Sequence, residues 1–197
     1  MGNKHGMLIA LEKTIEQFAG EEVMKKVMEG SESILEKTDV KKKASWMKGA
    51  MERLDKLVDE ETRFKIMENC GYNCAEINNK VIKNAKAKRR KYKNANEFIE
   101  AEINEPIKGT RLVREGDTLY QYYTPQSYGV RCYCEMVAAA EGKVSSTYCH
   151  CSKGFVKKLW EAVLEKPVEV KFIQSAISGA NECKFAIHIN SQAADNY

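Results

Sequence analysis

A chain of 197 residues is long enough to bury a core without disulfide or metal staples. Its 43% apolar and 30% charged residues are the balance of a globular protein in water and exclude a bundle of membrane-spanning helices. The net charge of +4 is local: Cys74 to Lys93 holds six Lys, two Arg and one Glu, a sum of +7, which leaves −3 for the rest.

The first elements read as helices. Leu8, Leu11, Ile15 and Phe18 recur at helical spacing, Gly20 interrupts them, and Val23, Met24, Val27 and Met28 resume the pattern up to a break at Gly30-Ser31. No basic head, long apolar stretch and cleavage site leads the chain, and Gly6 stands where a myristoylation motif calls for Ser or Thr, so a cytoplasmic location is expected. Thr38 or Asp39 can cap a helix whose stripe is Val40, Ala44, Met47, Ala50, Met51, Leu54, Leu57 and Val58. The pattern continues through Phe64 and Met67 to Cys70, with Gly71 suited to a C-cap. A further helix is predicted from Asn73 to Lys91, with Cys74, Ile77, Val81 and Ala85 on one side. Asn94 with Glu97 forms a capping box for a helix carrying Phe98, Ile99 and Ile103, which Pro106 closes.

The texture changes after Lys108. Thr110 to Arg114 and Thr118 to Thr124 read as a hairpin around Glu115-Gly116-Asp117. Arg131 to Ala138 and Lys143 to Tyr148 read as a second hairpin. Ser152 can cap a helix with Phe155, Val156, Leu159, Trp160, Val163 and Leu164 inward. Val168 to Phe172 and Cys183 to Ile189 alternate like strands buried on one face. The predicted fold is α+β, N-terminal helices packed with a C-terminal antiparallel sheet. A helical region, 1–107, and a Cys-rich α+β region, 108–197, are expected to form one integrated domain. Exposed Met-rich helix stripes would favour a homodimer.

Seven cysteines without an export signal argue against a complete disulfide framework. Cys132 and Cys134, and Cys149 and Cys151, are each two apart, so in strands each pair shares a face. If the segments pair, four sulfurs converge, a donor set that suits zinc or, as the lesser alternative, an iron–sulfur centre. The other reading is that these are small buried side chains. Cys70 and Cys74 at a helix corner, Cys183, and His150 between two cysteines are candidate additional ligands or pocket residues. Tyr120, Tyr122, Tyr123, Tyr128, Tyr133 and Tyr148 could line an apolar pocket with a few hydroxyls. The run Lys86 to Lys93 wraps round a helix axis and reads as its solvated end, which disfavours a nucleic-acid partner.

The stretch Cys149-His150-Cys151-Ser152-Lys153-Gly154-Phe155, then Pro167-Val168-Glu169-Val170, then Ser178-Gly179-Ala180-Asn181-Glu182-Cys183-Lys184-Phe185, resembles the vinyl-4-reductase (4-vinyl reductase) domain family, in an uncharacterised Cys-rich branch. The resemblance implies helices on an antiparallel sheet, a fold shared with nitric-oxide-sensing haem domains and Golgi transport subunits. It also implies small-molecule or metal binding, often as a dimer. Three functions follow: a binding or sensor protein with a cysteine-lined site; an enzyme, either a hydrolase of a thiazoline-like substrate or a reductase, using cysteine as nucleophile or ligand; and, least favoured, a nucleic-acid-binding protein.

Overall fold

The structure, a computed structural model, describes residues 3–77 and 79–189. Helices α1 (Gly6–Ala19) and α2 (Glu21–Val27) meet at Gly20, which adopts φ 84°, as the sequence break foretold. Helix α3 (Val40–Leu57) starts where Asp39 Oδ1 accepts from the Lys41 N–H at 2.9 Å. The expected continuation to Cys70 is instead a new helix, α4 (Glu60–Ile77), begun where Asp59 Oδ1 accepts from the Thr62 N–H at 2.9 Å. A second carboxylate cap therefore splits a hydrophobic stripe that reads as continuous. Helix α5 (Lys80–Arg89) follows, so the stretch from Asn73 is divided between two helices. Helix α6 (Ala95–Asn104) has the expected cap: Asn94 Oδ1 accepts from the Glu97 N–H at 2.9 Å, and Glu97 reaches back to the Lys93 N–H.

Strands β1 (Thr110–Glu115) and β2 (Thr118–Tyr123) form the first hairpin, with Thr110 opposite Tyr123. Helix α7 (Cys149–Leu164) then leads to β3 (Glu169–Gln174) and β4 (Cys183–His188). The sheet is antiparallel in the order β1-β2-β4-β3. The architecture is therefore the expected α+β class, with seven helices and four strands among the described residues. The second hairpin does not form. Residues 131–144 run as turns, held by Arg131, whose guanidinium donates to the carbonyls of Ala140 and Gly142. Nor does Ser152 cap α7: Ser145 caps a short turn, Ser146–Tyr148, that runs directly into a helix starting at Cys149.

Gly71 is not a C-cap. It lies inside α4 at the crossing with α7, where a Cβ would sit 1.8 Å from the Cys151 carbonyl oxygen. Gly154 answers it from α7: its Cβ would lie 1.9 Å from the Glu68 carbonyl oxygen. Two glycines thus let two backbones touch, and the same residue type that ends helices elsewhere is here the condition for packing them.

Two hydrophobic clusters result. One joins α1, α3 and α4 to the 131–144 turns and the start of α7, through Leu11, Met47, Met51, Met67, Cys70, Met136, Val137 and Tyr148. The other fills the space between the sheet, α6 and α7, through Phe98, Leu119, Val156, Trp160, Phe185 and Ile187. Each such side chain taken fully from water contributes about 1.5–3 kcal/mol. Met47, Met51 and Met67 are wholly buried, so the methionine stripe that suggested a homodimer is covered within one chain. No helix among the described residues is long and apolar enough to cross a membrane.

Candidate functional site

The structure gathers most of the sequence-selected residues along one seam. Cys149 and Cys151 occupy the first turn of α7, and Cys70 lies on α4 beneath the crossing. The Cys151 thiol shares a hydrogen bond with Cys70; that contact, then burial, pushes it well above the ordinary thiol range. Cys132 and Cys134 sit on the turns above, with the Cys134 N–H 3.5 Å from Cys132 Sγ. Buried Tyr148 donates its hydroxyl to Cys134 Sγ at 3.0 Å. Burial pushes Cys134 up to about 11, with Cys151 adding to the rise, while the bonds from Tyr148 and from the Met136 backbone oppose it. Burial likewise takes Cys149 up to about 12 against hydrogen bonds to Ser175 and Ser178. Cys132 and Cys183 are raised as well, chiefly by burial. Cys183, on β4, accepts from the Ala176 N–H at 3.4 Å and faces the sheet-side cluster. Cys74 packs half-buried against the seam.

Cys70, Cys132, Cys134, Cys149, Cys151 and Cys183 are free thiols. The thiolate is the nucleophile, so Cys134 and Cys149, protonated at neutral pH, are weak ones. His150 stacks on Phe64 with ring centroids 3.8 Å apart and leans on Phe172 at 5.3 Å. Burial lowers its imidazole to about 4, so the ring in the stack is neutral. Behind the seam, Glu135 holds the turns in place. It accepts from His5, which caps α1, and pairs with the buried ammonium of Lys43 at 3.2 Å. Burial opposes ionisation of Glu135, but these two partners outweigh it and hold the carboxyl below its usual range.

The largest apolar hollow among the described residues that is partly sheltered from solvent lies away from this seam. A cavity of about 340 Å³ opens between α5, α6, α7 and the inner face of β2. One face of α5 lines it with Val81, Asn84, Ala85 and Lys88; one face of α7 with Phe155, Leu159, Trp160 and Val163. These i, i+3, i+4 spacings place whole helix faces against the cavity. Phe98 and Glu102 of α6, and Ile107 and Thr110 beyond it, close the side. Gln121 and Tyr123, two apart on β2, form the floor. The only lining charges are Lys88 and Glu102, which pair with each other, and the Glu102 hydrogen bond raises the Lys88 pKa. Trp160 Nε1 donates to Gln121 Oε1 at 2.7 Å, and Gln121 Nε2 donates to the Tyr123 hydroxyl at 2.9 Å. The volume and the apolar lining with a few fixed polar groups are those of a small-molecule site. Beside Glu100, Arg114 and Asp117 a groove of about 720 Å³ lies open to solvent.

Of the tyrosines singled out by sequence, Tyr123 alone lines this cavity. Tyr120 and Tyr122 lie on the outer sheet face under Lys184 and Arg111, and Tyr128 and Tyr133 donate to the carbonyls of Lys108 and Gly109. Gln121 and the indole N–H of Trp160 were missed. The available signal was a lone polar residue, Gln121, at an inward strand position between Leu119 and Tyr123.

The sequence model of DUF6144, described as a family of unknown function, matches residues 7–194. No curated protein matches the sequence. In solved structures, the fold is similar to a mutant H-NOX domain from Shewanella oneidensis in the Fe(II)CO ligation state: 12% identity, TM-score 0.51, covering 97% of this chain and 99% of that one. An H-NOX protein from S. oneidensis in the Fe(II)NO ligation state gives 12%, a TM-score of 0.47, and covers 97% and 100%. A third structure, concerned with heme redox potential and porphyrin distortion, gives 12%, 0.43, and covers 93% and 98%. These findings overturn two expectations. The matching family is DUF6144, not the vinyl-4-reductase domain. Zinc and an iron–sulfur centre also fall: among the described residues no group of three or more His, Cys, Asp or Glu is placed to hold a metal ion.

Proposed function

We propose that this chain, which belongs to the DUF6144 family, is a binding protein for an apolar small molecule held in the cavity between α5, α6, α7 and β2. One observation carries the reading: a partly open, mainly apolar cavity of about 340 Å³ whose polar groups are fixed in place by Trp160 and Gln121. A role as a sensor is supported by α7, which is both a wall of the cavity and, through Gly154, the partner of α4 at the crossing. A shift of α7 on occupancy would therefore be felt at a contact with no slack.

Heme, the group named for one of the similar structures, does not fit the residues that line this cavity. Axial ligation of heme iron uses His, a Cys thiolate, Met or Tyr. The lining includes no His, Cys or Met, and its one tyrosine, Tyr123, is kept protonated by burial and already accepts a hydrogen bond. His150 is committed to its stack on Phe64.

The test uses the neutral fluorophore N-phenyl-1-naphthylamine. It should bind one per chain with enhanced emission and quench Trp160. Ala85→Trp, which fills the cavity, should abolish both effects. Undiminished binding to that variant, with its fold verified by circular dichroism, overturns the reading.

A further inference from the structure

The polarity of the hydrogen bonds on the cavity floor defines what the ligand must offer. An indole N–H can only donate, so the Gln121 atom facing Trp160 at 2.7 Å is the amide oxygen. The amide NH2 is thereby turned to Tyr123, and the Tyr123 hydroxyl oxygen accepts from it at 2.9 Å. This fixes the amide orientation by chemistry. In the one hydrogen bond the Tyr123 hydroxyl makes among the described residues it is the acceptor, which leaves its own hydrogen to give. The hydroxyl lines the cavity, so its hydrogen goes to water or to an acceptor on the occupant, and an occupant that takes the water's place keeps the bond only if it carries such an acceptor. The walls add two constraints. Phe98 and Trp160 meet edge-on with centroids 6.4 Å apart, and Phe155 and Leu159 complete an apolar slot. Lys88 and Glu102 neutralise each other, so the lining offers no unpaired cation to an anionic ligand.

We infer that the ligand is an uncharged, largely apolar molecule with one carbonyl-type oxygen that accepts the Tyr123 hydroxyl hydrogen. This rests on the proposed cavity function and adds the chemical class of the occupant. Tyr123 is a binding residue; Trp160 and Gln121 position it.

Two probes of similar shape separate the inference from the reading beneath it: 2-acetylnaphthalene, which has the carbonyl, and 2-isopropylnaphthalene, which lacks it. Their dissociation constants are measured by equilibrium dialysis on the wild type and on Tyr123→Phe. Losing one hydrogen bond should weaken the ketone about tenfold. The hydrocarbon should change by less than about twofold, which also shows that the variant is folded. If the two probes weaken equally, or neither changes, the carbonyl assignment is wrong while the cavity remains a binding site. If neither probe binds the wild type, or both still bind after Ala85→Trp and Val163→Phe, the cavity reading fails as well.

Discussion

The two hydrophobic clusters of this protein solve opposite problems. The cluster around α4 and the start of α7 is filled to the backbone: two glycines admit the crossing, and thiols and methionines occupy the gaps beside it. The cluster between α6, α7 and the sheet stops short of filling, and leaves about 340 Å³ floored by a hydrogen-bonded Trp–Gln–Tyr chain. Phe172 packs against both. The difference teaches that rare, reactive residue types need not border the open space of a fold. The thiols are part of a packed seam, whereas the open space is lined by residues that draw no notice in the sequence.

Adding carbon atoms on the two sides is the sharpest way to test this contrast. Gly154→Ala or Gly71→Ala sets a Cβ within 2 Å of backbone, and no flexible side chain can give way. The crossing must open, at a cost of about 3 kcal/mol or more, read as a lower urea midpoint at unchanged m-value. Ala85→Leu, which adds more carbon but into the cavity, should change stability by less than about 1 kcal/mol. Equal losses on both sides would mean that the cavity is not space available to a side chain.

Alkaline pH should strike the seam next. Cys134 and Cys149 are raised to about 11 and about 12 in the fold, against about 8.5 in an unfolded chain. Raised acids bind their protons more tightly when folded. Their contribution is therefore complete below about pH 8.5 and is lost as pH climbs toward the folded values. By pH 10 each thiol should cost about 2 kcal/mol. Urea midpoints at pH 7 and pH 10 measure it, and Cys149→Ala should remove its share of the loss. A wild type equally stable at both pH values would mean that the seam is wet.

His150 works at the other end of the scale. Its folded value of about 4 lies below the ordinary 6.5 for histidine. The neutral ring's contribution is present above about pH 6.5 and is lost as pH falls toward 4. The ring is only half-buried, so solvent screening reduces the expected loss to about 1–2 kcal/mol. His150→Phe keeps a ring on Phe64 and should flatten the stability profile between pH 6.5 and 4.5, with Glu135 still titrating below that. An unchanged acid slope in the variant would assign the loss to other groups.

Much of the fold was legible from local chemistry. The caps at Asp39 and Asn94, the break at Gly20, the first hairpin and the inner face of α7 each follow from one residue type doing what it does in any sequence. What was not legible depends on partners distant in the chain. Gly71 carries the same local signal whether it ends a helix or receives another helix's backbone, and only the position of Gly154 tells which. Cys132 and Cys149 read as strand residues only if alternation holds, and their segment is turns followed by helix. The cavity was the least visible feature, since empty space is a property of how four elements meet. Its one trace was Gln121 pointing inward among apolar neighbours.

Trp160→Phe should have the smallest effect. The change deletes the indole N–H and leaves the Gln121 oxygen without its donor. In the filled seam, an orphaned buried acceptor would cost about 1–3 kcal/mol. Beside the cavity, water can reach the oxygen and replace the lost bond, so the cost should fall to about 0.5–1 kcal/mol by urea unfolding. Freed from the indole, the Gln121 amide can turn over and present its oxygen to Tyr123. The Tyr123 hydroxyl then donates to that oxygen and has no hydrogen left for a ligand. The variant should therefore remain nearly as stable as the wild type while losing most of its preference for 2-acetylnaphthalene over 2-isopropylnaphthalene. A large loss of stability would place Gln121 in a dry core, and a retained preference would show that something other than the indole sets the direction of the Tyr123 proton.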